Sequence, residues 1–360
     1  MQVSDAELML VDVLSSRHRQ EWEHFLTICQ ESTFFHTVHS KELLEFGGGD
    51  VLYWGLWLDD RLEAIWPTSL LPCFGGTMLR IIRPPAVTQR IDLALFRKML
   101  AYISDAAMKK KALRWSGDMP ERSHFLRFAS QCGFGIEGSP YWDYIVNTNL
   151  EADILWKRLG QSARTAVRRA TKQGLEVREA QEPEELSTFF SIYRSTMERR
   201  QVANYFPLNS SLIPLLTRMI RREEVKLFTA SDGNRMVAGI LLLLHKRTAL
   251  WWLGGSLQDS WKMRPNELLV WHAIEWASKS RFSELDLGWA GMYKTGLDGL
   301  QLFKRHLGGQ RVNLVHLALP INRTRDLLTT TLVRIGGVMH KRGLIPKHLL
   351  ALASRNRWFG

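Results

Sequence analysis

Two short sequence landmarks recur at almost the same spacing, and no other feature of the chain constrains its fold as much. Asp60-Arg61-Leu62-Glu63-Ala64 is echoed by Asn234-Arg235-Met236-Val237-Ala238, 174 residues further on. Both follow an apolar-aromatic run, and both sit where a hairpin turn is expected. Phe125-Leu126-Arg127-Phe128-Ala129-Ser130-Gln131-Cys132-Gly133 resembles Leu300-Gln301-Leu302-Phe303-Lys304-Arg305-His306-Leu307-Gly308, 175 residues further on. Two landmarks at nearly one offset imply a duplicated domain. A length of 360 residues also suits two cores better than one. The expected boundaries are 1–149, 150–320 and a basic helical tail over 321–360.

Periodicity supplies the elements within each half. The first half predicts strands over 9–14, 51–58, 62–71, 78–82, 112–115 and 142–146, with a hairpin around Asp59-Asp60. Helices are predicted over 17–30, 91–109 and 124–131; Leu93, Phe96, Leu100 and Ile103 share one face of the second. The second half predicts one long helix over 154–173, then a strand over 175–179 and helices from Pro183 to Arg200 and over 212–222. Strands over 225–231, 236–245 and 249–253, a helix over 267–278 and a closing strand over 311–319 complete it.

The stretch from Leu285 to Gly309 carries the chemistry. Leu285 to Leu287 read as the end of a buried strand. Gly288, Gly291, Gly296 and Gly299 loosen the loop after it. Gly299 to His306 reads as a short helix with Leu300 and Phe303 inward, stopped by Gly308-Gly309. By itself this is an ordinary strand-loop-helix connection with a solvated basic end. The duplication changes the reading. Phe128 aligns with Phe303, but Ala129 aligns with Lys304. The first copy does without a charge there, so the fold does not require Lys304, and a functional role is expected of it.

Net charge is +12 and the pI is about 9.8. Such a surface attracts nucleic acid, anionic lipid or phosphate-bearing substrates. Lys157, Arg158, Arg164, Arg168, Arg169 and Lys172 include no acid among them, and Arg164, Arg168 and Lys172 lie four apart on one helical face. A solvated face and a phosphate or nucleic-acid strip both remain open for this run. Fourteen Trp residues suggest aromatic clefts as well as cores. Cys29, Cys73 and Cys132 have no paired spacing, which argues against a disulfide framework or a zinc site and for a reducing compartment. No metal-ligating cluster and no Ser-His-Asp pattern is evident. No signal peptide and no transmembrane run is expected, which points to a cytoplasmic protein. Beyond Asn322, eight Lys and Arg face only Asp326, alongside an apolar stripe of Leu327, Leu328, Leu332, Val333, Ile335 and Val338. Packing back on the first domain is the reading favoured for this tail over contact with an anionic membrane surface.

The residues over 150–315 resemble a known group. Trp156 with Arg164-x-x-x-Arg168-Arg169-Ala170-x-Lys172-x-Gly174-Leu175-x-Val177 comes first. Pro265-Asn266-x-Leu268-Leu269-x-Trp271, Glu284-x-Asp286-Leu287-Gly288 and Gly299-Leu300-x-x-Phe303-Lys304-Arg305-x-Leu307-Gly308-Gly309 follow. This set resembles the FemAB/FemX peptidyltransferases and related FemAB-like acetyltransferase-domain proteins. The resemblance implies an α/β (α+β) fold of two tandem GNAT-like domains, each a mixed, mostly antiparallel sheet flanked by helices.

It also implies an acyltransferase that forms an amide on an amine of a cell-envelope or polysaccharide precursor. FemX-type members take aminoacyl-tRNA as donor and a nucleotide- or lipid-linked muropeptide as acceptor. Phe303-Lys304 matches the Phe-Lys pair whose lysine stabilises charge developing at the donor carbonyl. Arg199 or Arg200, with Tyr205, is carried over as the contact to acceptor phosphates, and Lys41 as the contact from the first domain. Arg164 and Arg168 join them as substrate-binding candidates. No tightly bound cofactor is implied.

Two departures keep alternatives open. The chain has no long heptad stretch of the kind that holds tRNA in some members. It also lacks the Arg/Gln-x-x-Gly-x-Gly/Ala loop with which ordinary GNAT enzymes cradle the pyrophosphate of acyl-CoA, Arg264-Pro265-Asn266 standing in its place. The donor is therefore aminoacyl-tRNA or acyl-CoA. The third alternative is a non-catalytic basic binding module.

Overall fold

The computed structural model describes residues 6–11, 16–47, 50–180, 182–202, 206–290 and 298–341. The chain divides into two compact units: Met1–Ser139 with Leu314–Gly360, and Pro140–Asn313.

The first unit runs β1 (Ala6–Leu10), α1 (Ser16–Ile28), α2 (Val38–Phe46), β2 (Asp50–Leu58), β3 (Arg61–Cys73), β4 (Gly76–Ile81), β5 (Ala86–Val87), α3 (Leu93–Lys109), β6 (Ala112–Pro120) and α4 (Phe125–Gln131). β7 (Gly135–Asn147) begins here and ends in the second unit. There follow α5 (Ala152–Arg158), α6 (Gln161–Lys172), β8 (Leu175–Glu179), α7 (Pro183–Arg199), α8 (Ile213–Arg221), β9 (Val225–Asp232), β10 (Arg235–His245), β11 (Thr248–Ser256), α9 (Pro265–Lys279), β12 (Glu284–Trp289) and α10 (Asp298–His306). β13 (Gln310–Pro320) returns to the first unit, and α11 (Arg323–Lys341) belongs there too.

Each unit is a mixed, mostly antiparallel sheet flanked by helices, as the resemblance implied. In the first, β1/β2, β2/β3, β3/β4 and β6/β13 pair antiparallel and β4/β6 parallel. In the second, β8/β9, β9/β10, β10/β11 and β7/β12 pair antiparallel and β11/β12 parallel. The order and direction of six paired strands repeat from one unit to the other, which is the duplication read at the level of topology; β5, paired with β3, has no counterpart among the described strands of the second unit.

Local chemistry accounts for the turn between β2 and β3 and for the start of α3. The β2/β3 hairpin turns at Asp59 and Asp60 with φ of 50° and 59°, the pair of left-handed residues that a two-residue turn of this hand requires. Asp92 caps α3 by accepting from the Leu95 N–H at 2.8 Å. Phe96, Met99, Leu100, Ile103 and Ala107 form the helix's buried face and pack on Trp66, Trp115 and Leu79 of the sheet. Ten consecutive residues of β3 are buried, as expected of a strand covered on both faces.

Three expectations change. The strand expected over 9–14 lies instead at Ala6–Leu10, where it pairs with β2. The single helix expected over 154–173 is two helices, because Leu159 and Gly160 are extended, with ψ of 140° and 151°. A Cβ on Gly160 would stand 3.1 to 3.3 Å from His306, and the Gly160 N–H donates to the His306 carbonyl at 2.7 Å. The break is where α10 abuts the chain. The closing strand assigned to the second domain has Leu314–Pro320 in the first unit, in register with β6 from Pro120 to Arg114.

α11 packs back on the first unit, as expected of the tail, but not through its apolar stripe. α11 is anchored by polar groups: Arg114 donates to both Asp326 oxygens, one at 2.9 Å, and to Thr330 Oγ1 at 2.8 Å. Its apolar stripe does not pack back; Leu327 is 69% exposed and Leu328 60%.

Candidate functional site

In the second unit the parallel strands β11 and β12 pair only from Thr248↔Glu284 to Leu250↔Asp286. Beyond that point the sheet opens into a fork. The carbonyls of Gly288 and Trp289, on the β12 arm, accept hydrogen bonds from Lys304 Nζ at 3.0 and 2.8 Å. Gly288 takes φ +74°, and a Cβ there would lie 3.2 Å from the Trp251 carbonyl on the other arm. Asp286 Oδ1 accepts the Gly288 N–H at 2.8 Å, so this strand-end carboxylate shapes the turn.

Lys304 reaches the fork because α10 is fixed at its far end. The Gly309 N–H donates to the Lys304 carbonyl at 3.0 Å. A Cβ on Gly309 would stand 2.8 Å from that oxygen. Gly308 at φ +84° completes the helix stop that the sequence suggested. On α6, Ser162 Oγ lies 2.8 Å from His306 Nδ1.

The lysine is buried to 5% exposure, and its nitrogen sits 5.6 Å from the centroid of the Trp251 ring. An ammonium carries three N–H donors. Among the described residues two are engaged, by the two carbonyls, which leaves one for a ligand oxygen. Burial pushes the lysine's pKa down to about 8; Asp286 and Asp143 oppose that shift, and Arg200 adds to it. Two features thus coincide: a poised charge in a low-dielectric place, and a break in the sheet beside it.

A cleft of about 570 Å³ lies beside α6, the start of α9, and α10. Arg169, Thr165 and Ser162 line one side, Arg264 and Glu267 another, and Phe303, Leu302 and His306 a third. Phe303 borders the cleft and packs on the core, while Lys304, one residue on, turns toward the sheet. α9 has Pro265 in its first turn, and Arg264 before it is left-handed at φ +63°. Backbone N–H groups at such a helix start favour an anion.

The other candidates divide. Arg199 belongs to a network at the end of β11: it donates to the Ser256 carbonyl at 3.4 Å and lies 4.6 Å over the Trp261 ring. Desolvation, and then Arg199, hold the Arg200 guanidinium below its ordinary value. Tyr205, Gly291 and Gly296 lie outside the described residues. Arg164 is turned inward and caps the preceding helix, donating to the carbonyls of Lys157 and Leu159 at 3.0 and 2.7 Å. Arg168 lies over the Trp156 ring at 5.5 Å. In the first unit, Lys41 is paired with Glu45 one helical turn on.

Sequence reasoning missed Arg169 as the cleft-lining cation of its run. The signal was present: Arg169 is offset from Ala163, Ala166, Val167 and Ala170, which form the buried face. Trp251 and Asp143 carried no local signal, because only strand pairing brings them near α10.

Residues 157–296 match the family described as the acetyltransferase (GNAT) domain. No curated protein matches the chain in sequence. Among solved structures, FemX is similar at a TM-score of 0.71 and 14% identity, over 89% of this chain and 99% of that one. The C-terminal domain assigned to a lysylphosphatidylglycerol synthetase of Agrobacterium fabrum is similar at a TM-score of 0.59 and 11% identity, over 87% of this chain and 95% of that one. A tandem GNAT protein from the clavulanic acid biosynthesis pathway is similar at a TM-score of 0.56 and 11% identity, over 88% and 99%. At these identities the likeness is one of fold. Residues 157–296 thus match a GNAT acetyltransferase domain, and the fold of the chain is similar to those of FemX and of a tandem GNAT protein.

Proposed function

We propose that the chain transfers an acyl or aminoacyl group to an amine of a phosphate-bearing cell-envelope or polysaccharide precursor, making an amide. The observation that carries this reading is Lys304, a buried ammonium at a sheet fork with one donor uncommitted among the described residues. The acceptor class rests on the resemblance to FemX-type transferases. That a domain of a lysylphosphatidylglycerol synthetase shares the fold is consistent with a phosphate-bearing acceptor.

The chemistry asks one thing of the protein above all. An amine nitrogen attacks the donor carbonyl, its C–N bond forms, and the ester or thioester bond to the leaving group breaks as the amine loses a proton. Negative charge develops on the carbonyl oxygen in between. A donor aimed at that oxygen in a dry site contributes about 3 kcal/mol or more. The remaining N–H of Lys304 is suited to this task. Arg169, Arg264 and the first turn of α9 would hold the phosphates of the donor, whether aminoacyl-tRNA or acyl-CoA, and the donor supplies the activated carbonyl. Arg199 and Arg200 are the proposed contacts to acceptor phosphate.

Native mass spectrometry with acyl-CoAs and with charged tRNAs, followed by transfer assays with the retained donor, tests the reading. Transfer from one of the two donors is expected. Retention of CoA with turnover would exclude the tRNA version. Binding of anions with no transfer from either donor would leave the non-catalytic module instead.

The lowered lysine pKa makes a pH prediction. Turnover that needs the ammonium should fall as pH rises through about 8. Stability should move the other way. The folded pKa lies below the unfolded value of 10.5, so the unfolded chain binds the extra proton between the two. This group's burial cost is complete below pH 8 and is relieved as pH climbs from about 8 toward 10.5. Activity profiles and denaturant melts over that window, set against Lys304→Met, check both signs.

A further inference from the structure

α11 is built inside out. A helix on a globular body turns its apolar stripe to the core, but here the polar side is the attached one. Asp326 and Thr330 take hydrogen bonds from Arg114, and Arg325 donates to the Gly75 carbonyl at 3.1 Å. Leu327, Leu328, Leu332, Ile335, Val338 and Met339 are all exposed, at 37% to 69%. At 100° per residue they fall within an arc of about 140°. Arg323 and Arg334 border one edge of that arc and Arg325 the other, all three exposed. The acid of the helix, Asp326, is buried against Arg114.

We propose that this face of α11 seats in the headgroup region of an anionic phospholipid bilayer. Its apolar arc enters the acyl boundary, and Arg323 and Arg334 at its edge meet lipid phosphates. An apolar strip edged by cations fits an anionic interface. It does not fit a nucleic-acid backbone, which offers no apolar partner. Nor does it fit a second copy of the same helix, which would set Arg323 and Arg334 against like charge. The net charge of +12 adds attraction at longer range. No described helix is long and apolar enough to cross a membrane, so α11 would lie on the surface. This inference is independent of the acyl-transfer reading.

Flotation of the full chain with phosphatidylglycerol vesicles and with pure phosphatidylcholine vesicles tests it. The wild type is expected to float with the anionic vesicles and not with the neutral ones, and salt should weaken it. Leu328→Glu with Ile335→Glu should lower anionic binding by about tenfold or more. Arg323→Glu with Arg334→Glu should lower it by a similar factor of about ten. All four positions are exposed, and circular dichroism of the variants guards against misfolding. Three results would overturn the proposal: no flotation of the wild type, flotation that survives the glutamate pair on the apolar arc, or a dimer in sedimentation that the same pair dissolves.

Discussion

Replacing Lys304 by alanine is expected to lower turnover by about a hundred- to a thousandfold while the second unit stays folded. The scale is that of removing one charge-stabilising donor from a preorganised site. The expectation that the fold survives has its own basis. The matching position of the other copy is Ala129, which is fully buried in an otherwise parallel arrangement. A buried ammonium is costly to desolvate, so its loss removes a penalty. Against this stand the carbonyls of Gly288 and Trp289, which lose a partner, and the space that the lysine stem filled. Lys304→Met keeps most of that stem and separates the two effects. If both variants melt near the wild type and only turnover falls, the charge serves chemistry. A loss of fold with proportionate loss of activity would make Lys304 a structural residue. The split between kcat and KM adds a further test, since a group acting on developing charge should move kcat.

The largest expected effect on stability lies in the first unit. Trp66→Ala should destabilise it by about 3–5 kcal/mol, and the melting temperature should fall by about 10 °C or more. Trp66 is fully buried in β3. Its ring stacks on Trp115 at 4.7 Å and meets Phe125 and Phe96 at 5.4 and 5.7 Å. The cavity would be walled by rigid aromatic rings on two helices and a strand, which cannot collapse to fill it. Trp66→Phe should cost much less. It keeps most of the ring and removes an indole N–H that has no hydrogen-bond partner among the described residues, whose burial is itself unfavourable. Differential scanning calorimetry of the two variants checks the ordering. A Trp66→Phe variant as unstable as Trp66→Ala would mean that the indole nitrogen, and not ring volume, holds this core.

Elements whose signals are local were legible in the chain. The β2/β3 hairpin showed in Asp59-Asp60 between apolar runs, and α3 in its spacing of Phe96, Leu100 and Ile103. β8 matched its expected span residue for residue. The end of α10 showed in Gly308-Gly309. The candidate lysine was legible for another reason: the chain contains its own control, a second copy in which the same position is uncharged.

What failed was anything set by a partner distant in sequence. The break at Leu159-Gly160 exists because α10 presses on Gly160, and nothing within a helical turn announces it. Arg164 looked like part of a surface strip because its spacing matched Arg168 and Lys172. Its guanidinium instead closes the end of α5, a choice made by the bend that α10 imposes. α11 read correctly as amphipathic, but periodicity tells that a helix has two faces and not which one is attached. Arg114, more than two hundred residues upstream, made that decision.

By itself, then, the order of residues determined the repeated pattern of strands and helices, and it singled out Lys304 through the unequal partner at Ala129. These follow from side-chain size, periodicity and turn chemistry, which act over a few residues. Only the tertiary structure decided that β11 and β12 part after Leu250 and Asp286, that two carbonyls and the Trp251 ring gather around the ammonium, and that Leu314–Pro320 completes the first sheet. Those outcomes depend on backbone hydrogen bonds between strands far apart in the chain. Such bonds are alike at every residue, so packing and not residue identity selects among them.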